Sequence, residues 1–193
     1  LRLHAVLLDI GPQRFRRLFV VPAWQARVAA VRAAKYPVLH VLAYSDFGGG
    51  KSTFAATFAV AGPMLVMMFD RPGKDTPYLK VAREVGGTLA DGVDAIGTPF
   101  RDVVGADGSL VLRVEYYVDA DLQAPDAYRR FMVRKPGFYD EISVGLWMTA
   151  VLDSITFAEL SARKYHQYAL NALTKNPMQW YAGSSDMIEE TLL

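Results

Sequence analysis

Three near-continuous apolar runs, at positions 38–43, 64–69 and 148–152, punctuate the chain, each of strand length and each ending near a glycine-rich loop or an aspartate. Runs of this kind predict strands of a sheet covered on both faces rather than half-exposed ones. Positions 54–61 between the first two runs are helix-like and stop at Gly62-Pro63. Strand, helix and strand with short connections predict a right-handed parallel crossover. The pattern changes further on. Leu110, Leu112 and Val114 alternate with polar neighbours, and Ala106-Asp107-Gly108 supplies a turn, so 98–104 and 109–118 read as an antiparallel hairpin.

The remaining helical signals are placed by their stops. An alanine-rich amphipathic stretch at 23–35 carries Arg27 and Arg32 and ends before Pro37. A short helix at 76–85 starts with Thr76 as its cap and closes at Gly86-Gly87. A third, at 125–133, is expected to end at Lys135-Pro136-Gly137, a fourth runs 156–173 up to Lys175-Asn176-Pro177, and a last covers 187–193 behind Ser184-Ser185-Asp186. Residues 1–22 hold two apolar pieces broken by Gly11-Pro12 and Pro22, read as strands or irregular cover. The expected organisation is an N-terminal cover segment and helix over 1–35 and an α/β core over 36–193, with an insertion at about 95–140.

The candidate chemistry lies in the loop after the first apolar run, Tyr44-Ser45-Asp46-Phe47-Gly48-Gly49-Gly50-Lys51-Ser52-Thr53. A buried strand, a glycine-rich turn and a helix start, in that order, aim backbone N–H groups and a positive helix end at one anion. Lys51 adds a charge that reaches β- and γ-phosphates, and Ser52 a hydroxyl for Mg²⁺. Gly48, Gly49, Gly50, Lys51, Ser52 and Thr53 are therefore the expected nucleotide-binding residues. The full phosphate-loop pattern wants glycine where Ser45 stands, so the match is short by one position. The third apolar run ends in Asp153, and a carboxylate at a strand end beside such a loop is suited to holding Mg²⁺ through its water. Ser52 and Asp153 are the expected metal-side residues.

Composition narrows the field. The 193 residues carry a net charge of +1, which argues for no broad basic face, and no cysteine, which excludes disulfides and thiolate metal sites. The absence of cysteine suits a reducing cytoplasm. No apolar run has the length of a membrane span, and the first ten residues lack the basic start of a secretory signal. The three histidines, His4, His40 and His166, are scattered and suggest no metal site.

On Gly48-Gly49-Gly50-Lys51-Ser52-Thr53, Met68-Phe69-Asp70 with Gly73-Lys74, and Val151-Leu152-Asp153-Ser154-Ile155-Thr156, the chain resembles the RecA-like P-loop ATPases of bacteriophages, often called phage ATP-binding proteins and related to single-strand-annealing recombination ATPases. The resemblance covers about residue 36 to the end. It implies a mostly parallel RecA-like sheet covered by helices with an inserted hairpin, a Walker A loop at Lys51, a Walker B strand ending at Asp153, ATP and Mg²⁺ as ligands, and hydrolysis coupled to phage DNA recombination or replication. It also implies a homo-oligomer acting on single-stranded DNA, in the host cytoplasm and not in a membrane. Such enzymes polarise the attacking water with a glutamate near the end of the second strand; no glutamate stands there, and Asp70 is the nearest carboxylate and the expected base. The strand that carries a γ-phosphate sensor in that group would lie beyond Leu193, so either the chain is a fragment or its N-terminal apolar pieces fill the gap.

Two other functions fit the same loop. A P-loop kinase of small molecules needs an arginine lid, for which Arg129, Arg130 and Arg134 are the available cluster. A nucleotide-dependent assembly protein with negligible turnover suits the absent glutamate. Tyr116, Tyr117, Trp147 and Trp180 could stack on bases, although aromatic residues are more often core.

Overall fold

The structure is a computed structural model that describes residues 6–9, 41–44, 48–71, 73–121, 124–143 and 145–170. Its main sheet is organised by strand β3 (Met64–Met68), all five residues of which are buried. Their side chains alternate between two cores. Met64, Val66 and Met68 join one apolar cluster, and Leu65, Met67 and the following Phe69 join the other. A continuous apolar run therefore fills both faces, as its sequence requires.

Helices complete the two faces. On the first lie helix α1 (Lys51–Ala56), the 3₁₀ turn Thr57–Ala61 and helix α2 (Thr76–Glu84). Helix α2 buries Tyr78, Val81 and Ala82, the i, i+3, i+4 spacing of one helical stripe. On the second face lie helix α3 (Ala127–Ser143) and helix α4 (Ile155–Lys164), the latter continuing as a π-helical segment, Tyr165–Leu170. Phe131 of α3 packs against Phe69 and Tyr117 at ring-centroid distances of 5.2 and 5.5 Å, which knits this helix to the sheet.

The sheet corrects the expected fold class. Strands β4 (Thr88–Val93), β5 (Pro99–Val104), β6 (Leu110–Tyr116) and β7 (Thr149–Asp153) assemble with β3 in the order β4-β5-β6-β3-β7. The β4/β5 and β5/β6 pairings are antiparallel, and β6/β3 and β3/β7 are parallel. This is a mixed α/β sheet, not the mostly parallel RecA-like one. The hairpin expected as an insertion is part of it, because β6 is covered on both faces: Val111, Leu112 and Val114 lie in the first core, and Glu115 is buried against Arg134 and the Tyr117 hydroxyl. A strand buried on both sides belongs inside a sheet, and β6 takes the position beside β3. Strand β7, expected to be fully buried, is a half-buried strand at the other end of the sheet.

Helix α3 is the second correction. It runs through Pro136 for 17 residues, where a stop was expected. An interior proline costs about 3 kcal/mol, and the second half of the helix offsets that cost with buried contacts. Phe138 is packed in the core beside Phe131, and Glu141 receives hydrogen bonds from Arg134 and from the Trp147 indole. Helix α2 starts with Asp75 as its N-cap residue rather than Thr76, whose hydroxyl donates instead to the Gly73 carbonyl at 3.1 Å.

Away from the main sheet, β1 (Val6–Asp9) pairs in parallel with β2 (Val41–Tyr44), the strand that leads into the glycine-rich loop. The parallel crossover expected from 38–43 to 64–69 is therefore corrected: among the described residues the loop strand pairs with an N-terminal apolar piece and not with β3. The expected helices at 23–35 and 187–193, the end of the helix expected at 156–173, and Ser45 to Phe47 lie outside the described residues.

Candidate nucleotide and metal site

The loop closes on the helix through two left-handed glycines. Gly48 has φ 79° and Gly50 φ 82°, a backbone region that costs other residues about 1–2 kcal/mol. Gly50 is the N-cap of α1, and its carbonyl accepts the Phe54 N–H at 2.8 Å, the first turn of the helix. Gly49, Lys51 and Ser52 are half-buried and Gly48 and Thr53 exposed, so the start of α1 is open to a ligand.

Across from it lies the end of β7. The Ser52 hydroxyl donates to Asp153 Oδ2 at 2.7 Å, a contact that joins residues 101 positions apart. The two residues expected to serve the metal therefore meet. A second hydroxyl, that of Tyr78, donates to the same oxygen at 2.8 Å. Tyr78 is wholly buried, and burial first, then the neighbouring Asp153 charge, raises its phenol far above the ordinary range. The hydroxyl accordingly stays protonated and can only donate to the carboxylate. The Asp153–Ser154 peptide that follows is cis.

Asp70 sits one residue past the last ladder contact of the central strand. Phe69 N–H bonds the Asp153 carbonyl at 2.8 Å, so Asp70 follows at the same carboxyl end of the sheet. Its Oδ1 accepts the Arg71 N–H at 2.7 Å, the geometry of a loop cap. Five residues on, Asp75 is buried at the head of α2, where it accepts a hydrogen bond from the Tyr116 hydroxyl and faces Arg101 at 3.6 Å. The Tyr116 phenol is raised, chiefly by burial and then by that bond.

The arginine cluster has structural partners. Arg130 is bound to Asp126 at 3.2 Å and to the Val118 carbonyl at 3.0 Å, and Arg134 bridges Glu115 and Glu141 at 3.2 and 2.7 Å. Arg129, more exposed, faces Asp126 at 3.7 Å. Tyr117 and Trp147 are buried in the second core, which removes them as base-stacking surfaces, and Trp180 lies outside the described residues.

Tyr78 and Asp75 were not singled out in the sequence. Neither belongs to a motif, and the signal that identifies them is burial: a tyrosine hydroxyl and a carboxylate in an apolar core must each find a partner. Among the described residues no three of His, Cys, Asp and Glu gather as a metal cage. One carboxylate and one hydroxyl are a poor cage but an adequate donor set for Mg²⁺, a hard cation that keeps its waters and draws other ligands from substrate phosphates. No helix among the described residues is long and apolar enough to cross a membrane. No protein family matches the chain, and neither does any curated protein or solved structure.

Proposed function

We propose that the chain binds ATP with Mg²⁺ at the glycine-rich loop. The observation that carries this reading is the 2.7 Å hydrogen bond between Ser52 and Asp153, which brings together, from distant parts of the sequence, the two oxygen donors that such a site needs. Gly48, Gly49 and Gly50 offer backbone N–H groups, Lys51 a cation for the phosphates, and Ser52 and Asp153 the metal side, with Thr53 beside them. Bound Mg²⁺ supplies charge neutralisation of the phosphate oxygens. The resemblance to phage ATP-binding proteins supports the same ligands and adds, as the wider proposal, an ATPase working as an oligomer on single-stranded DNA in recombination or replication.

Turnover is proposed to be slow. Asp70 is the base in this reading, yet its hydrogen bond to the Arg71 N–H suits a loop cap as well, and general-base catalysis is worth about 10²–10⁴-fold when it is in place. That bond favours the second reading, an assembly protein that binds ATP and hydrolyses little. The kinase reading is less favoured, since two of its three arginines, Arg130 and Arg134, are themselves largely buried and paired with carboxylates.

The test is Asp153→Asn. It removes the charge on the metal side while preserving size, so Mg²⁺-dependent ATP binding should fall about 10–100-fold with binding in EDTA little changed. Equal losses with and without Mg²⁺ would make Asp153 structural and remove the main support of the proposal. Phosphate release with and without single-stranded DNA tests the wider part.

A further inference from the structure

We infer that Tyr78 is a positioning residue for the metal side of the site, fixing the Asp153 carboxylate so that one of its oxygens stays directed at Ser52. The inference rests on the ATP and Mg²⁺ reading above and extends it to a residue outside both nucleotide motifs.

The physical case begins with the carboxylate. The terminal torsion of an aspartate is broad, so a half-exposed Asp153 at the end of an edge strand would swing unless something held it. Two hydroxyls converge on its Oδ2, Ser52 at 2.7 Å and Tyr78 at 2.8 Å. They are not equivalent. Ser52 lies on the open start of α1 and its oxygen is the one offered to the metal. Tyr78 is fully buried among Ala56, Met68, Val81 and Val114, where a hydroxyl with no partner would cost roughly 1–3 kcal/mol. Its hydrogen bond is therefore the persistent one.

The tyrosine is itself anchored. The Tyr78 N–H bonds the Asp75 carbonyl at 2.9 Å, one turn from the head of α2, and the Asp75 carboxylate accepts the Tyr116 hydroxyl from the end of β6. The end of β6, the start of α2 and the end of β7 are thus linked through Tyr116, Asp75, Tyr78 and Asp153. A ligand supported in this way on rigid elements is pre-oriented, and the partners behind a metal's own ligands are commonly worth 10–100-fold in metal affinity.

Tyr78→Phe removes the hydroxyl and keeps the ring. In full-length protein, ATP binding is titrated by calorimetry across Mg²⁺ concentrations and in EDTA, alongside thermal unfolding. The expected result is a rise of about 10-fold in the Mg²⁺ concentration that gives half the metal-dependent gain in ATP affinity, with EDTA binding nearly unchanged and the unfolding midpoint lowered by a few degrees for the lost hydrogen bond. A hydroxyl that only stabilises the fold would lower the midpoint and leave the Mg²⁺ curve where it was. An Mg²⁺ curve identical to the parent's overturns this inference and leaves the nucleotide reading standing, whereas a parent that binds no ATP overturns both.

Discussion

Arg134→Met tests how the helix that runs through a proline is held to the sheet. The Arg134 side chain is 14% exposed and bridges Glu115, 3% exposed, at 3.2 Å and Glu141, 30% exposed, at 2.7 Å. Methionine keeps much of the apolar stem, so what is lost is the cation. Glu115 then retains the Tyr117 hydroxyl at 2.7 Å in a buried site without its opposite charge. Removing one member of a buried pair costs about 3–5 kcal/mol, and the more exposed Glu141 arm adds about 1 kcal/mol or less. Because Tyr117 remains, the lower end applies, about 3–4 kcal/mol against a total of roughly 5–15 kcal/mol for a domain. At about 2–4 °C per kcal/mol for this size, the melting midpoint should fall by roughly 10 °C. Urea unfolding of Arg134→Met, Glu115→Gln and the double variant measures the coupling. The double variant should recover about 2 kcal/mol relative to the sum of the single effects. A single variant within about 1 kcal/mol of the parent, or strictly additive effects, would refute the claim that Arg134 is a structural cation, and would return it to the pool of residues available to a ligand.

Two further outcomes follow from the same structure. Burial alone would raise the Glu141 carboxyl, but the hydrogen bonds from Arg134 and Trp147 outweigh it and hold the group below its usual value. A depressed folded value means stability present above the unfolded pKa, about 4.3, and lost as pH falls through the folded one; Glu141→Gln should flatten this acid limb in unfolding measured from pH 7 to pH 3, and an unchanged limb would refute it. At the exit of α2, a Cβ on Gly87 would run into the Val104 carbonyl of β5, whereas Gly86, at φ 62°, has open space around it. Gly87→Ala should therefore cost about 1–3 kcal/mol and Gly86→Ala about 1 kcal/mol, and the reverse order in urea unfolding would contradict this packing.

Much of the central architecture was legible because burial on both faces writes itself as continuous apolar sequence. The runs ending in Phe69 and in Asp153 became neighbouring parallel strands, and Ala106-Asp107-Gly108 turned the hairpin where it was expected. The edge strand 88–93 was not legible. Thr-Leu-Ala-Asp-Gly-Val has no alternation and is almost wholly exposed; it is held by its partner, through the Arg101 to Asp91 pair and the Phe100 ring over Gly92. Local rules failed at Pro136 for the same reason, since the contacts that carry the helix onward are distant in sequence. In the candidate site the glycine loop, Lys51, Ser52 and Asp153 were readable as motifs. Tyr78 was not, because a hydrogen bond between residues 75 positions apart leaves no local pattern.

The central claim is that the half-exposed Lys51, at the first position of α1 behind Gly50, serves bound phosphates. Calorimetric titration of the parent and of Lys51→Ala with ATP and Mg²⁺ tests it most directly. Hydrogen bonds to a charged group contribute about 1.5–3 kcal/mol, so the variant should bind about 10–100-fold more weakly while unfolding at nearly the parent temperature. A parent that binds no ATP, or a folded variant that binds it as tightly as the parent, would contradict the account.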